Sequence, residues 1–239
     1  MRHMCEAASI QPRDLVLEVG AGTGSLSALL LEAGAELVAV EIDRDLEPIL
    51  RQQLTADDDR LTLLITDILS SKSRLDAQVL QLIRTRPFKL VANLPYQVAS
   101  PLLINLLLEQ QPLTDAVVTI QREVADRWTA PPGTRDYGPL SVLIQAACTV
   151  ERLAKVSPSC FWPEPTVEST IIWLKRRTMP LARDPKRLAN LLHKLFSQRR
   201  KQLGTILGRH ANLPETIDPT ARPETLSVEQ LVDLTERLG

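Results

Sequence analysis

The chain has 239 residues, and its 28 Lys+Arg against 29 Asp+Glu give a formal net charge of −1. That length suits one full domain with a small second one, and a hydrophobic share of 44% excludes wholesale disorder. Three cysteines, Cys5, Cys148 and Cys160, form no Cys-x-x-Cys pair, which argues against a disulfide framework or structural zinc and fits a reducing compartment.

Strand-like and helix-like stretches alternate through the first half. Residues 15–19 are a short aliphatic run ending in glycines, which reads as a buried strand, and 25–33 reads as a helix. A second strand over 37–41 and a second helix over 46–54 follow. A third strand over 61–65 ends at Asp67, and 75–84 is predicted helical. Strands over 89–92 and 116–120 alternate with helices over 101–108 and 123–128. Such alternation with short connections predicts a parallel sheet covered on both faces. Beyond Trp128 the pattern changes. A helix over 140–148 and two late strands, 150–156 and 166–174, surround a Pro-rich loop. Thr178-Met179-Pro180 marks a boundary, followed by helices over 185–196 and 199–207. Ser227 and Gln230 have capping-box spacing and predict a final helix.

Charge is more informative locally. Residues 175–209 hold eleven Lys/Arg and one acid, Asp184, so the segment carries +10 and the rest of the chain −11. A basic segment on an acidic body is the footprint of a polyanion binder, or else a solvated helix face.

Glu18-Val19-Gly20-Ala21-Gly22-Thr23-Gly24 joins the first strand to a helix. Glycines at alternate positions let backbone turn tightly against a ligand at the carboxyl ends of the strands. The dinucleotide fingerprint wants a glycine where Ser25 stands, and no Gly-Lys-Ser/Thr follows, so neither a dinucleotide turn nor a Walker loop matches fully. Glu41 ends the second strand, where a carboxylate can accept both ribose hydroxyls of an adenosine. That does not separate NAD from S-adenosylmethionine. Asp67 ends the third strand, where it can accept from an adenine amine.

Asn93-Leu94-Pro95-Tyr96 closes the fourth strand at the same edge. Asn93 offers a side-chain carbonyl and Leu94 a backbone carbonyl. Pro95 fixes the turn, and Tyr96 presents a ring for stacking. Two acceptors beside a stacking face suit a flat base with an amino group. Gripping both amine hydrogens favours a pyramidal nitrogen with its lone pair aimed at an incoming methyl. No strong general base is required, because the alkylated amine sheds its proton to water.

These motifs, in this order, resemble the ribosomal RNA adenine dimethyltransferases. The resemblance continues through Gln121 to Arg127, Tyr137 to Ser141, Phe161 to Ser169 and Phe196 to Lys201. It implies a class I S-adenosylmethionine-dependent methyltransferase: an α/β, Rossmann-like, mostly parallel sheet with a small all-α C-terminal domain. The implied division is 1–177 for catalysis and 178–239 for RNA binding. Donor contacts are implied for Glu18, Gly20, Gly22, Gly24, Glu41, Ile42, Asp67, Ile68 and Asn93. Asn93, Leu94, Pro95, Tyr96 and Phe161 would form the catalytic set, with Tyr96 and Phe161 sandwiching a flipped base. The implied partner is small-subunit ribosomal RNA, or the immature small subunit, and the basic segment would hold its phosphates.

Family members carry a further N-terminal segment with a Gln-Asn-Phe-Leu-type motif that helps close the donor site. The chain lacks that motif, and residues 1–11 read as the end of the helix that follows it. A late start is the favoured explanation, ahead of truncation or loss in a paralogue. Three other functions compete. One is a large-subunit methyltransferase of the macrolide-resistance type. The second is a small-subunit assembly factor without activity. The third, more distant, is a nicotinamide oxidoreductase. No metal is expected, since His3, His193 and His210 share no ligand spacing. No membrane span or apolar signal core is present in the sequence, so a cytoplasmic protein is expected; a monomer is a separate expectation that no sequence feature supports.

Overall fold

A computed structural model describes residues 1–54, 59–71, 73–161, 164–208 and 211–238. Trp162 and Pro163 of the quoted motif, Arg209 of the basic segment and His210 lie outside these residues. The chain forms two compact units: Met1–Arg122 with Glu151–Lys175, and Glu123–Val150 with Arg176–Gly239.

In chain order the elements begin with α1 (Arg2–Ala8), β1 (Leu15–Val19), α2 (Ser25–Glu32), β2 (Glu36–Glu41), α3 (Glu47–Gln53) and β3 (Leu61–Ile65). A small antiparallel hairpin, β4 (Leu69–Ser71) and β5 (Arg74–Leu75), precedes α4 (Ala77–Ile83). Then come β6 (Phe88–Asn93), α5 (Ala99–Leu108), β7 (Leu113–Gln121), α6 (Arg122–Trp128) and α7 (Pro139–Ala147). The remainder is β8 (Cys148–Val156), β9 (Ser169–Arg176), α8 (Pro185–Phe196), α9 (Leu203–Leu207) and α10 (Val228–Arg237).

The sheet order is β3-β2-β1-β6-β7-β9-β8. Pairings among β3, β2, β1, β6 and β7 are parallel, and β9 runs antiparallel to β7. All five residues of β1 are buried, as a strand covered on both faces requires. From β1 the chain first builds outward to β2 and β3, then returns to add β6 on the other side. That reversal opens a crevice at the carboxyl ends of β1 and β6, the usual ligand position in such sheets. The glycine turn and the Asn93 turn both emerge there.

The second unit has its own core. Leu188, Leu192 and Leu195 line one face of α8 and meet Tyr137, Val142, Leu231 and Leu234. Asp184 caps α8 by accepting from the Arg187 N–H at 3.0 Å, and the predicted 185–196 helix matches its bounds. Ser227 and Gln230 form the expected reciprocal cap of α10. The Tyr137 to Ser141 motif is a staple of this unit. The Tyr137 hydroxyl donates to the Leu226 carbonyl at 2.9 Å, and Ser141 Oγ donates to the Arg127 carbonyl at 2.6 Å.

Some sequence expectations need correction. The helix expected over 199–207 covers only Leu203–Leu207. Arg199 instead donates to the Thr134 and Arg135 carbonyls and pairs with Glu224, while Gln202 is extended. The helix expected over 75–84 starts at Ala77, because Asp76 caps it and Leu75 belongs to β5. The late strand expected over 166–174 runs over Ser169–Arg176. In the compact units α7 goes with the C-terminal helices, because it packs on α8 and α10.

Candidate active site

The glycine turn leaves β1 with Gly20, Gly22 and Gly24 all at positive φ. At Gly20 a Cβ would stand 3.2 Å from Pro95 Cδ, so only glycine lets the turn lie against the Asn-Leu-Pro-Tyr turn. Gly24 precedes α2 as its N-cap and backs onto Leu50 of α3 and Leu54 just beyond it, so its role here is packing.

Three cavities surround these turns, all within the first unit. The largest, 660 Å³, is lined by Glu18, Gly20, Gly22, Asn93 and Phe161, with Met1 on its wall. A second, 460 Å³, holds Gly20, Glu41, Ile42, Asp67, Ile68 and Tyr96. The smallest, 220 Å³, is bounded by Asn93, Leu94, Pro95, Tyr96 and Phe161. Gly20 belongs to the first two, and Asn93 and Phe161 belong to the first and the last. Every site residue expected from the sequence therefore lines a cavity except Gly24.

The acids behave differently from one another. Glu18 is 1% exposed and accepts from Ser27 Oγ at 2.5 Å. Burial pushes its carboxyl up to about 8; the Ser27 hydrogen bond opposes the rise and the nearby Glu41 charge adds to it. Glu41 is already engaged. Oε2 accepts from the Gly22 N–H at 2.7 Å, and Oε1 from the Ile42 and Asp43 N–H groups at 2.9 and 3.1 Å. A carboxylate has about four lone-pair directions, so about one remains for a ligand in this arrangement. Asp67 is exposed and accepts only from the Leu69 N–H, at 2.8 Å, among the described residues. Ile42 is 63% exposed and lines the same cavity as Glu41 and Asp67.

The acceptor turn is held by its neighbours. Asn93 stands opposite Thr119 of β7, and the Leu94 N–H donates to the Thr119 carbonyl at 3.2 Å. Among the described residues no hydrogen bond engages the Asn93 side chain or the Leu94 carbonyl, so both acceptors are available. The Tyr96 hydroxyl lies 3.2 Å from Ser169 Oγ. Phe161 is presented by the 3₁₀ turn at Pro158–Cys160, its N–H donating to the Pro158 carbonyl.

Sequence reasoning missed several lining residues. Thr119 and Pro165 line the smallest cavity, and Cys160 and Met1 the largest. A strand threonine carries no signal of its own. Helix α1 is also part of the site: Thr119 Oγ1 donates to Met4 Sδ at 3.3 Å. Lys89 secures the end of that helix by donating to the Ala8 and Ser9 carbonyls, and it pairs with Asp14 at 2.9 Å.

The basic segment divides in two. Arg199 is consumed by internal contacts, and Arg177 donates to the Gln145 carbonyl. Lys175, Arg183, Lys186, Lys194, Arg200 and Lys201 remain exposed. Among the described residues no cluster of His, Cys, Asp and Glu is arranged to hold a metal, and no helix is long and apolar enough to cross a membrane.

Comparison with known proteins agrees along the full length. The ribosomal RNA adenine dimethylase profile matches residues 1–239. The chain is 37% identical to a ribosomal RNA small subunit methyltransferase A from Alkaliphilus metalliredigens, covering 100% of this chain and 87% of that one. It is 42% identical to the protein of that name from Synechococcus elongatus, covering 98% and 88%. Among solved structures it resembles a dimethyladenosine transferase from Plasmodium falciparum, with TM-score 0.78, 25% identity and coverage of 98% and 92%. It also resembles the 23S rRNA methyltransferase ErmE, with TM-score 0.73, 25% identity and coverage of 99% and 95%. The glycine turn, the strand-end acids and the free acceptors of the Asn-Leu-Pro-Tyr turn thus sit in a chain that belongs to the ribosomal RNA adenine dimethylase family.

Proposed function

We propose that this protein uses S-adenosylmethionine to dimethylate the exocyclic amines of two adjacent adenosines near the 3′ end of small-subunit ribosomal RNA. The observation that carries the reading is the position of Asn93. It lines both the largest cavity, beside the glycine turn, and the small one between Tyr96 and Phe161. An acceptor at that junction can hold an amine against a methyl donor.

The residues present fit the donor. The exposed Ile42 suits one face of an adenine, the Asp67 carboxylate its amine, and the remaining lone pair of Glu41 a ribose hydroxyl. Glu18 faces the part of the cavity where the cationic end of the donor would lie. When bound, S-adenosylmethionine supplies an electrophilic methyl carbon on a sulfonium. Asn93 and Leu94 accept from the target amine and aim its lone pair, while Tyr96 and Phe161 hold the base between rings. A base treated this way must leave its stack. The exposed cations of the 175–201 stretch are assigned to RNA phosphates, as part of a helical RNA-binding region over 178–239. A cytoplasmic monomer acting on the immature subunit completes the proposal.

Glu41→Ala should weaken S-adenosylmethionine binding at least about tenfold. It removes a charged acceptor for the ligand and releases three backbone N–H groups that shape the turn. Calorimetry measures this directly, and unchanged affinity would count against the ribose contact.

The activity itself is tested with small subunits that lack the dimethyladenosines. The expected result is dimethyladenosine in the digested RNA, detected by mass spectrometry. The similarity to ErmE makes naked large-subunit RNA the necessary comparison. Modification of that RNA alone would favour the large-subunit reading. Binding of subunits without modification of either RNA would favour the assembly factor.

A further inference from the structure

We infer that Ser169, acting through the Tyr96 hydroxyl, positions the target base and that the second methyl transfer depends on this more than the first. The inference rests on the function proposed above. Ser169 opens β9, is 0% exposed, and has its Oγ 3.2 Å from the Tyr96 hydroxyl. It stands opposite Gln121 of β7 and ends the loop that carries Phe161 and Pro165. The preceding residue is anchored twice. The Arg122 N–H donates to the Glu168 carbonyl at 3.0 Å, and the Arg122 guanidinium pairs with the Glu168 carboxylate at 2.7 Å. Ser169 is therefore a fixed point, and it holds one wall of the base cavity at the far end of the tyrosine ring. The same loop supplies Phe161, which lines the same cavity.

The chemistry makes the two transfers unequal. An unmodified adenosine amine has two N–H bonds, one for each acceptor, Asn93 and the Leu94 carbonyl. In each transfer the nitrogen lone pair forms the N–C bond, the C–S bonding pair remains on sulfur, and the surplus proton passes to water. After the first transfer only one N–H is left. The acceptor turn then holds the amine by a single hydrogen bond, and the orientation of the base falls to the stacking walls. A ring free to tilt is therefore tolerated in the first transfer and penalised in the second. Ser169 is a positioning residue in this scheme, because it touches Tyr96 and not the base.

The test uses the full chain, S-adenosylmethionine and small subunits lacking the modification, with monomethyl- and dimethyladenosine quantified over time. Ser169→Ala and Tyr96→Phe remove the same hydrogen bond from opposite ends. Each should raise the ratio of monomethyl- to dimethyladenosine about five- to tenfold, the worth of one net hydrogen bond, and Ser169→Ala should slow the first transfer less than the second. The double variant should be no worse than either single one, as expected of one shared interaction. Tyr96→Phe keeps the ring and its packing, so it carries the test should Ser169→Ala fold poorly. An unchanged ratio in Tyr96→Phe overturns the inference, as does equal slowing of both transfers. A wild-type chain that dimethylates with a flat variant ratio defeats the positioning role alone. A wild-type chain that yields no dimethyladenosine defeats the function and this role together.

Discussion

Asn93→Ala is expected to slow methyl transfer about 10²–10³-fold, the usual loss when one preorganised polar contact to the reacting group is removed. S-adenosylmethionine affinity should fall by no more than about fivefold, since at most one hydrogen bond to the donor is lost. The separation follows from geometry. Asn93 closes β6 at the junction of two cavities, and no described residue uses its side chain for folding. Its truncation removes an acceptor for the amine and disturbs neither the glycine turn nor the strand-end acids. Single-turnover assays measure transfer, and calorimetry measures the donor. Near-normal turnover in this variant would refute the acceptor role.

Glu18→Gln is expected to stabilise the free chain at pH 8 by about 2–4 kcal/mol and to abolish a proton-linked step in donor binding. The Glu18 carboxyl is raised from 4.5 to about 8, mainly by burial. Between those values the unfolded chain has lost this proton and the folded chain keeps it. Stability must therefore fall as pH rises through the window, with the penalty complete above about pH 8. Urea unfolding of the wild type at pH 5 and pH 8 should show the decline, and Glu18→Gln should lack this component. Donor binding then gains a pH signature. A cation placed beside Glu18 favours the carboxylate, so at pH 7 binding should expel up to about one proton. Calorimetry in two buffers of different ionisation enthalpy counts it. Equal proton release by wild type and Glu18→Gln would move the cationic end of the donor away from this residue.

Local pattern carried much of the reading. The aliphatic runs of β1, β2 and β6, each ending in glycine, acid or Asn-Leu-Pro-Tyr, announce parallel strands with chemistry at one edge, because period and punctuation are properties of neighbouring residues. The 185–196 helix was legible for the same reason, whereas the cap that Asp184 gives it is seen only in the structure. The 199–207 stretch misled because its local composition favours a helix, while Arg199 is held by carbonyls 64 and 65 residues away. The β4–β5 hairpin, only a few residues long, gave too little period to detect.

By itself, then, the amino-acid order determined the sheet class, the edge where the site forms and the kind of chemistry gathered there, because each depends on residues close in the chain. Tertiary structure alone decided which polar groups are still available. Glu41 is largely engaged by backbone N–H groups, the Asn93 side chain has no hydrogen-bond partner among the described residues, and Arg199 is withdrawn from the basic surface. It also placed Ser169 on Tyr96 across 73 residues and Thr119 on Met4 across 115. A hydrogen bond is satisfied by whatever the fold brings within about 3 Å, and sequence separation does not enter that distance.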